Sequence, residues 1–178
     1  MIKYCSNCGK TTITMAPNGD DRLRDVCSVC KTIHYENPKV VVGCIPQWED
    51  KILMCQRAIE PRYGKWTLPA GFLEIGETVI EGAKRETLEE ANARVNSLVP
   101  YALYNLAFIG QIYIMFIAQL SDPVFKPGYE SLSVGLFKEH EIPWDDIAFK
   151  VVEKTLYKYF KDRKKGEFPF SMGDIQPS

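Results

Sequence analysis

Residues 71–93 read GFLEIGETVIEGAKRETLEEANA and contain the strongest helix signal in the chain. Glu81 follows Thr78 by three residues, which is the spacing of a capping box at the start of a helix. The sequence therefore predicts a helix over residues 79–91. The less polar positions that recur on one side of this helix are expected to face the core. These positions are Ile80, Thr87, Leu88 and Ala91.

Three glutamates share one face of the same predicted helix. Glu86, Glu89 and Glu90 are spaced i, i+3 and i+4, so their carboxylates lie on adjacent turns and repel one another. Carboxylate oxygens are the ligands that Mg²⁺ prefers, and a bound cation would remove the repulsion. The alternative is a solvated acidic face, which is common on surface helices. The spacing of the glutamates alone leaves both interpretations open.

The residues around the glutamates resemble the signature of the Nudix family. The pattern G-x5-E-x7-R-E-x-x-E-E-x-x-A is present over residues 71–93, and the resemblance extends more weakly over residues 38–160. It implies an α/β/α sandwich with a mixed sheet. It also implies a hydrolase that uses Mg²⁺, or Mn²⁺ in its place, to cleave pyrophosphate bonds. Asn92 departs from the pattern, because the family usually has glycine there. Asparagine tolerates the left-handed backbone that ends a helix, so we expect little effect.

The resemblance also assigns roles to individual residues. The implied Mg²⁺ ligands are the carboxylates of Glu86, Glu89 and Glu90 and the backbone carbonyl of Ala70. The family often takes one more carboxylate from a later loop, as a metal ligand or as the base. Glu130 is the candidate for that carboxylate, and the alternative is an ordinary loop acid.

Three other residues of the motif would support the metal site. The resemblance implies that Glu77 and Arg85 brace the preceding loop against the helix. It also implies that Gly71 lets this loop pass close to the helix. These residues would act on the geometry of the glutamates and not on the substrate.

Two C-x-x-C pairs lie near the N-terminus. Cys5 and Cys8 are separated by eighteen residues from Cys27 and Cys30. Thiolates at i and i+3 allow one tight turn to supply two of the four tetrahedral ligands of Zn²⁺, so the spacing predicts a structural zinc ribbon. The alternative is two redox-active pairs, but the expected βαβ surroundings are missing. His34 is either a further ligand or, as we favour, a polar residue of the linker.

The region around the motif bears on the substrate. A zinc ribbon joined to a Nudix domain resembles the NADH pyrophosphatase group, in which a tyrosine placed like Tyr35 contacts the substrate. The alternative for Tyr35 is a linker aromatic that packs the ribbon onto the domain. That group carries a run SQPWPFP after the motif, whereas residues 103–113 here read LYNLAFIGQIY. Together with PKVVVGC at residues 38–44 and PGYESL at residues 127–132, this stretch more closely resembles plant-type ADP-ribose/FAD pyrophosphatases. The residues expected to stack on a substrate ring are Tyr35, Phe108 and Tyr113.

Two substrates follow from that second resemblance. FAD would be cleaved to FMN and AMP, and ADP-ribose to AMP and ribose 5-phosphate. The first alternative is an NADH pyrophosphatase. The second is a non-catalytic module that senses a nucleotide, although such modules usually lack glutamates of the motif.

The rest of the chain predicts one larger domain. We expect a zinc ribbon over residues 1–36, a Nudix domain over 37–162 and a poorly packed tail over 163–178. The strands and the second helix are predicted from β-branched runs and helical spacing. The predicted strands cover 40–45, 52–56, 99–109, 111–120 and 132–137, and the second helix covers 147–160.

The composition limits the other classes of function. The chain has 178 residues and a formal net charge of −1, which does not favour a nucleic-acid-binding surface. The basic run at residues 161–165 is more simply a solvated helix end. No apolar run is long enough to span a bilayer. We therefore expect a cytoplasmic protein without nucleic-acid or membrane partners, and the family resemblance implies a homodimer.

Overall fold

The computed structural model describes residues 2–177 and divides the chain into two compact units, Met1–Asn37 and Pro38–Ser178. Met1 and Ser178, the outermost residues of the predicted ribbon and tail, lie outside the described residues. Within the described part, no helix combines the length and the apolar character needed to cross a membrane.

The first unit is a three-stranded antiparallel sheet. Its strands are β1 (Thr12–Met15), β2 (Arg24–Cys27) and β3 (Ile33–His34), with β2 in the middle. Asp25 on β2 accepts hydrogen bonds from the Ile2 N–H at 2.6 Å and the Thr14 hydroxyl at 2.9 Å. Few of its side chains are buried, so the unit depends on something other than an apolar core.

The second unit is a mixed sheet with two helices. Its elements are β4 (Lys39–Trp48), β5 (Lys51–Arg57), β6 (Trp66–Thr67), β7 (Ala70–Phe72), α1 (Val79–Ala91), β8 (Val95–Leu106), β9 (Gln111–Leu120), β10 (Ser131–Phe137), α2 (Lys150–Arg163) and β11 (Ser171–Asp174). The central strands follow the order β10-β5-β4-β9-β8-β11. β4 and β9 are parallel, as are β8 and β11, and the other neighbours are antiparallel. The short strand β6 pairs with β5, and the short strand β7 pairs with β4.

The sheet is covered on both faces. Because successive side chains of a strand point to opposite faces, Cys44 and Ile45 of β4 belong to different cores. The core with Ile45 is closed by α2 through Leu156 and its neighbours, and the core with Cys44 is closed by α1 through Ala83. The predicted α/β/α sandwich with a mixed sheet is therefore confirmed.

Helix α1 has the predicted bounds, but one of its faces differs from the prediction. Thr78 and Glu81 form the capping box, and Asn92 ends the helix in the left-handed conformation. Thr87 and Ala91 are buried as expected, whereas Ile80 and Leu88 are exposed. The buried face instead combines small residues with two glutamates, because α1 packs closely against the sheet at one side and against a cavity at the other. The buried residues are Gly82, Ala83, Glu86, Thr87, Glu90 and Ala91.

The C-terminal segment also differs from the prediction of a poorly packed tail. β11 adds to the edge of the sheet in parallel with β8. The Asn105 amide donates to Asp174 Oδ1 at 3.0 Å, and the Ile175 N–H donates to the Asn105 carbonyl at 2.9 Å. The Ile175 side chain is buried. The two paired strands lie about seventy residues apart in the sequence, so no local pattern indicates that they pair. The composition of the segment alone therefore did not predict β11.

Candidate active site

A cavity of about 1120 Å³ opens in the second unit. Two parts of its lining matter for function. The acidic wall consists of Glu86, Glu89, Glu90 and Glu130. The apolar lining includes Leu106, Phe108, Ile109, Tyr113, Phe149 and Ile175. A cavity of this size, with charged groups gathered in one wall and apolar groups elsewhere, has the character of a small-molecule site.

Two carboxylates of the acidic wall are withdrawn from solvent. Glu86 is 9% and Glu90 is 8% exposed. Burial, together with the charge of Glu86, raises the pKa of Glu90 to about 8, although the Ala70 N–H and the Arg57 guanidinium act in the opposite direction. Burial also raises the pKa of Glu86. Since an ionised carboxylate is costly to bury without compensation, this wall favours a bound cation.

Arg85 connects the acidic wall to the preceding loop. Its guanidinium lies 2.9 Å from Glu77, 2.6 Å from Glu86 and 2.9 Å from Glu89, and it donates to the Phe72 carbonyl at 3.0 Å. Arg85 thus fixes the loop before α1 and compensates two carboxylates of the wall.

Gly71 lies in β7, the strand that leads into that loop, where its backbone passes close to α1. A Cβ atom built at Gly71 would overlap the carboxyl group of Glu86. Only glycine therefore allows the loop and the Glu86 carboxylate to occupy their observed positions. The Ala70 N–H donates to Glu90 Oε2 at 3.3 Å, which ties the same loop to the second buried glutamate.

Glu130 comes from a different part of the chain and reaches the same cavity. It directly precedes β10, and the Ala58 N–H donates to its backbone carbonyl at 2.8 Å. Its charge contributes to the raised pKa of both Glu86 and Glu90. The fold therefore brings this loop acid to the same cavity as the three helix acids, and its role as a ligand or as the base stays a prediction.

The donor set of the acidic wall fits a hard divalent cation. Four carboxylates at one cavity wall offer the oxygen ligands that Mg²⁺ prefers. Arg85 lies 2.6 Å from the Glu86 carboxylate and 2.9 Å from the Glu89 carboxylate. A cation at the wall would compete with Arg85 for these carboxylates. The Ala70 carbonyl remains a predicted ligand.

Three lining residues have no counterpart among the sequence predictions. The Arg57 guanidinium lies 5.0 Å from the centre of the Phe149 ring, and its Nε donates to the Pro61 carbonyl at 3.0 Å. Within residues 2–177 Arg57 has no carboxylate at ion-pairing distance, so its remaining N–H groups are available to an anion. Phe149 directly precedes α2, and Ile175 directly follows β11. Nothing in the sequence around either residue indicates that it lines a cavity.

The predicted ring-stacking residues have different positions. Phe108 and Tyr113 line the cavity, Phe108 in a helical turn that ends the predicted strand early and Tyr113 on β9. Tyr35 belongs to the first unit, is 62% exposed and has the Arg24 guanidinium 5.1 Å from its ring centre. Its contact with substrate stays a prediction.

The four cysteines of the first unit form a compact cluster. Their sulfur atoms all lie within 4.8 Å of one another, with separations of 3.4 Å for Cys8 to Cys30, 3.5 Å for Cys8 to Cys27 and 3.6 Å for Cys5 to Cys30. A tetrahedral Zn²⁺ with Zn–S bonds of about 2.3 Å requires sulfurs about 3.8 Å apart. A disulfide requires about 2.05 Å, which none of these pairs approaches. The cluster fits a structural zinc, and His34, paired with Asp25 across the sheet, is not part of it.

The sandwich fold, with its motif glutamates gathered at a cavity, defines the chain as a Nudix-type protein. The chain belongs to the Nudix family: residues 37–154 match the NUDIX domain and residues 3–36 match the Nudix N-terminal family, a zinc ribbon. Among curated proteins, it is 31% identical over 160 residues to the NAD-capped RNA hydrolase NudC of Photobacterium profundum, covering 86% of this chain and 58% of that protein. It is 29% identical over 169 residues to NudC of Vibrio cholerae, covering 91% of this chain and 60% of that protein. The chain thus spans about three-fifths of the length of these relatives.

Solved structures agree with the fold. A NUDIX hydrolase from Nitrosomonas europaea has 54% sequence identity and a TM-score of 0.96, with 99% of this chain and 100% of that chain covered. An ADP-ribose pyrophosphatase from Streptococcus suis has 19% identity and a TM-score of 0.60, with 78% of this chain and 100% of that chain covered. At that identity the likeness concerns the fold alone.

Proposed function

We propose that the chain hydrolyses the pyrophosphate bond of nucleotide-diphosphate compounds with the help of Mg²⁺. The observation that carries the proposal is the burial of Glu86 and Glu90 side by side in the wall of a large cavity. Two adjacent buried carboxylates destabilise a fold unless a cation compensates them. The burial of these two carboxylates at the cavity wall therefore supports a site for a divalent cation. Substitution of these two glutamates, described in the Discussion, is the test.

Different residues of the chain would bind the metal, accept a proton and orient the substrate. Glu86, Glu89 and Glu90 would hold the metal. Mg²⁺, when bound, would neutralise the pyrophosphate oxygens and lower the pKa of the attacking water. Glu130, which comes from a loop and not from α1, is our candidate to accept the proton of that water. The free N–H groups of Arg57 would orient a phosphate oxygen of the substrate.

We further propose FAD and ADP-ribose as the substrates. The apolar lining, with Phe108, Tyr113 and Phe149, suits the flat rings of an adenine or a flavin. An aromatic stacking contact contributes about 0.5–1.5 kcal/mol beyond burial. A difference of about 1.4 kcal/mol changes affinity tenfold, so the expected preference is moderate. The second candidate is a nicotinamide dinucleotide, free or as an RNA cap, because the curated relatives are named for NAD-capped RNA.

A comparison of substrates tests this choice. We expect FAD and ADP-ribose to be hydrolysed with higher kcat/KM than NADH or NAD-capped RNA, because the apolar segment 103–113 replaces the run associated with NADH. The measurement is kcat/KM for each compound and for a deoxynucleoside triphosphate at saturating Mg²⁺. A preference for NADH or for the capped RNA would favour the second candidate. A preference for the triphosphate would reject the substrate assignment altogether.

The C-terminal strand supplies a second test of the pocket. Ile175 is buried and lines the cavity, whereas Met172 on β11 is 66% exposed and does not line it. We expect Ile175→Ala to raise KM about tenfold with little change in kcat, because lost apolar contact weakens ground state and transition state alike. Steady-state kinetics check this expectation, with Met172→Ala as the matched control. Equal effects of the two substitutions on KM would show that the strand matters only for stability.

A further inference from the structure

We infer that Asn92 is a positioning residue that fixes the Glu130 loop against the end of α1. The inference rests on the proposed function, since it concerns how one member of the acidic wall reaches its place. Asn92 is also the position at which the motif departs from the glycine usual in the family. The departure thus has a structural consequence beyond ending the helix.

The backbone and the side chain of Asn92 do separate things. The backbone adopts φ 46° and ψ 31°, and its N–H donates to the Leu88 carbonyl at 2.8 Å, which ends the helix. The side-chain amide donates to the carbonyls of Lys126 and Pro127, each at 3.2 Å. Glycine would adopt the same backbone without strain but would lack both donors. The two contacts to the loop are therefore what asparagine adds.

The loop is held to α1 by its backbone as well. The Lys126 N–H donates to the Ala91 carbonyl and the Gly128 N–H to the Glu90 carbonyl, both at 2.9 Å. A Cβ atom at Gly128 would overlap the Glu89 carbonyl oxygen, so the two backbones are in direct contact. These bonds satisfy carbonyls that the last turn of a helix leaves without partners.

The path from this contact to Glu130 is short. Glu130 follows Gly128 by two residues, and the Ser131 N–H donates back to the Gly128 carbonyl at 3.2 Å. On the other side, Ala58 at the end of β5 holds the Glu130 carbonyl. Glu130 is thus placed between α1 and the sheet, and loss of the Asn92 side-chain contacts leaves its anchor on α1 with the two backbone hydrogen bonds alone. The expected result is a carboxylate that spends less time at the acidic wall.

The test is a double-mutant cycle between Asn92→Gly and Glu130→Gln, assayed with the best-cleaved substrate of the panel at saturating Mg²⁺. We expect Asn92→Gly to lower kcat about threefold to tenfold, the effect of one or two hydrogen bonds, with KM changed little. In the Glu130→Gln background the same substitution should have no further effect on kcat. The thermal midpoint of Asn92→Gly should stay close to that of the wild type, because glycine is a good left-handed cap.

A second cycle, between Asn92→Gly and Tyr113→Phe, is the control. Tyr113 is not part of the Asn92–Glu130 contact, so the effects of the two substitutions on kcat should multiply in the double variant. Equal losses from Asn92→Gly with and without the Glu130 carboxylate would overturn the inference, as would wild-type kcat in either single variant. The proposed function is tested separately by Glu86→Gln and Glu90→Gln. If those variants are inactive while the cycle is multiplicative, the inference fails and the function stands; if they remain active, the function fails.

Discussion

Glu90→Gln and Glu86→Gln are each expected to lower kcat at least about 100-fold, a loss of about 2.7 kcal/mol of transition-state stabilisation. The amide keeps the shape of the side chain and removes the charge. At Glu90 the change also relieves the unfavourable burial of a carboxylate beside Glu86, so the folded state should be retained or stabilised. Loss of activity without loss of stability is the signature of a group kept for function.

The measurement combines steady-state kinetics over a range of Mg²⁺ concentrations with thermal unfolding. Glu167→Gln, which removes one charge from an exposed site outside the cavity, is the matched control and should resemble the wild type. Near-wild-type kcat for both motif variants at saturating Mg²⁺ would show that the acidic face is not a metal site. A loss of kcat accompanied by unfolding would assign the two glutamates a structural role instead.

The features predicted correctly from the sequence are those encoded by neighbouring residues. The bounds of α1 depend on the Thr78–Glu81 capping box and on Asn92, all within one segment. The cysteine cluster likewise depends on two short turns. The α/β/α architecture followed from the motif resemblance, since the motif is a loop and helix with a fixed place in that fold. Local spacing was therefore sufficient for the ribbon and for the helix that carries the acids.

The features missed depend on contacts between distant segments. Arg57 meets Phe149 across the cavity, and Ile175 enters the wall because β11 pairs with β8. No local sequence pattern predicts contacts of this kind. The exposure of Ile80 and Leu88 has a related cause. Their hydrophobicity predicted a place in the core. The buried side of α1 instead carries Glu86 and Glu90, which face the cavity, and Ile80 and Leu88 lie on the exposed side.

Removal of zinc is expected to unfold the first unit while the second stays folded. The unit has three short strands and few buried side chains, so its folding depends on the four thiolates and the metal that they bind. Zn²⁺ binding to such sites contributes about 10–16 kcal/mol, far more than the apolar contacts of a unit this small. The second unit has two cores of its own and needs no such support.

We expect one zinc per chain in tag-free protein and none in Cys8→Ser. Hydrogen exchange should then show lost protection in residues 3–36 and retained protection in the sheet of the second unit. Cys44→Ala is the control, because Cys44 is buried beneath α1 and should leave the zinc content unchanged. A metal-free wild-type protein with disulfides among Cys5, Cys8, Cys27 and Cys30 would contradict the prediction.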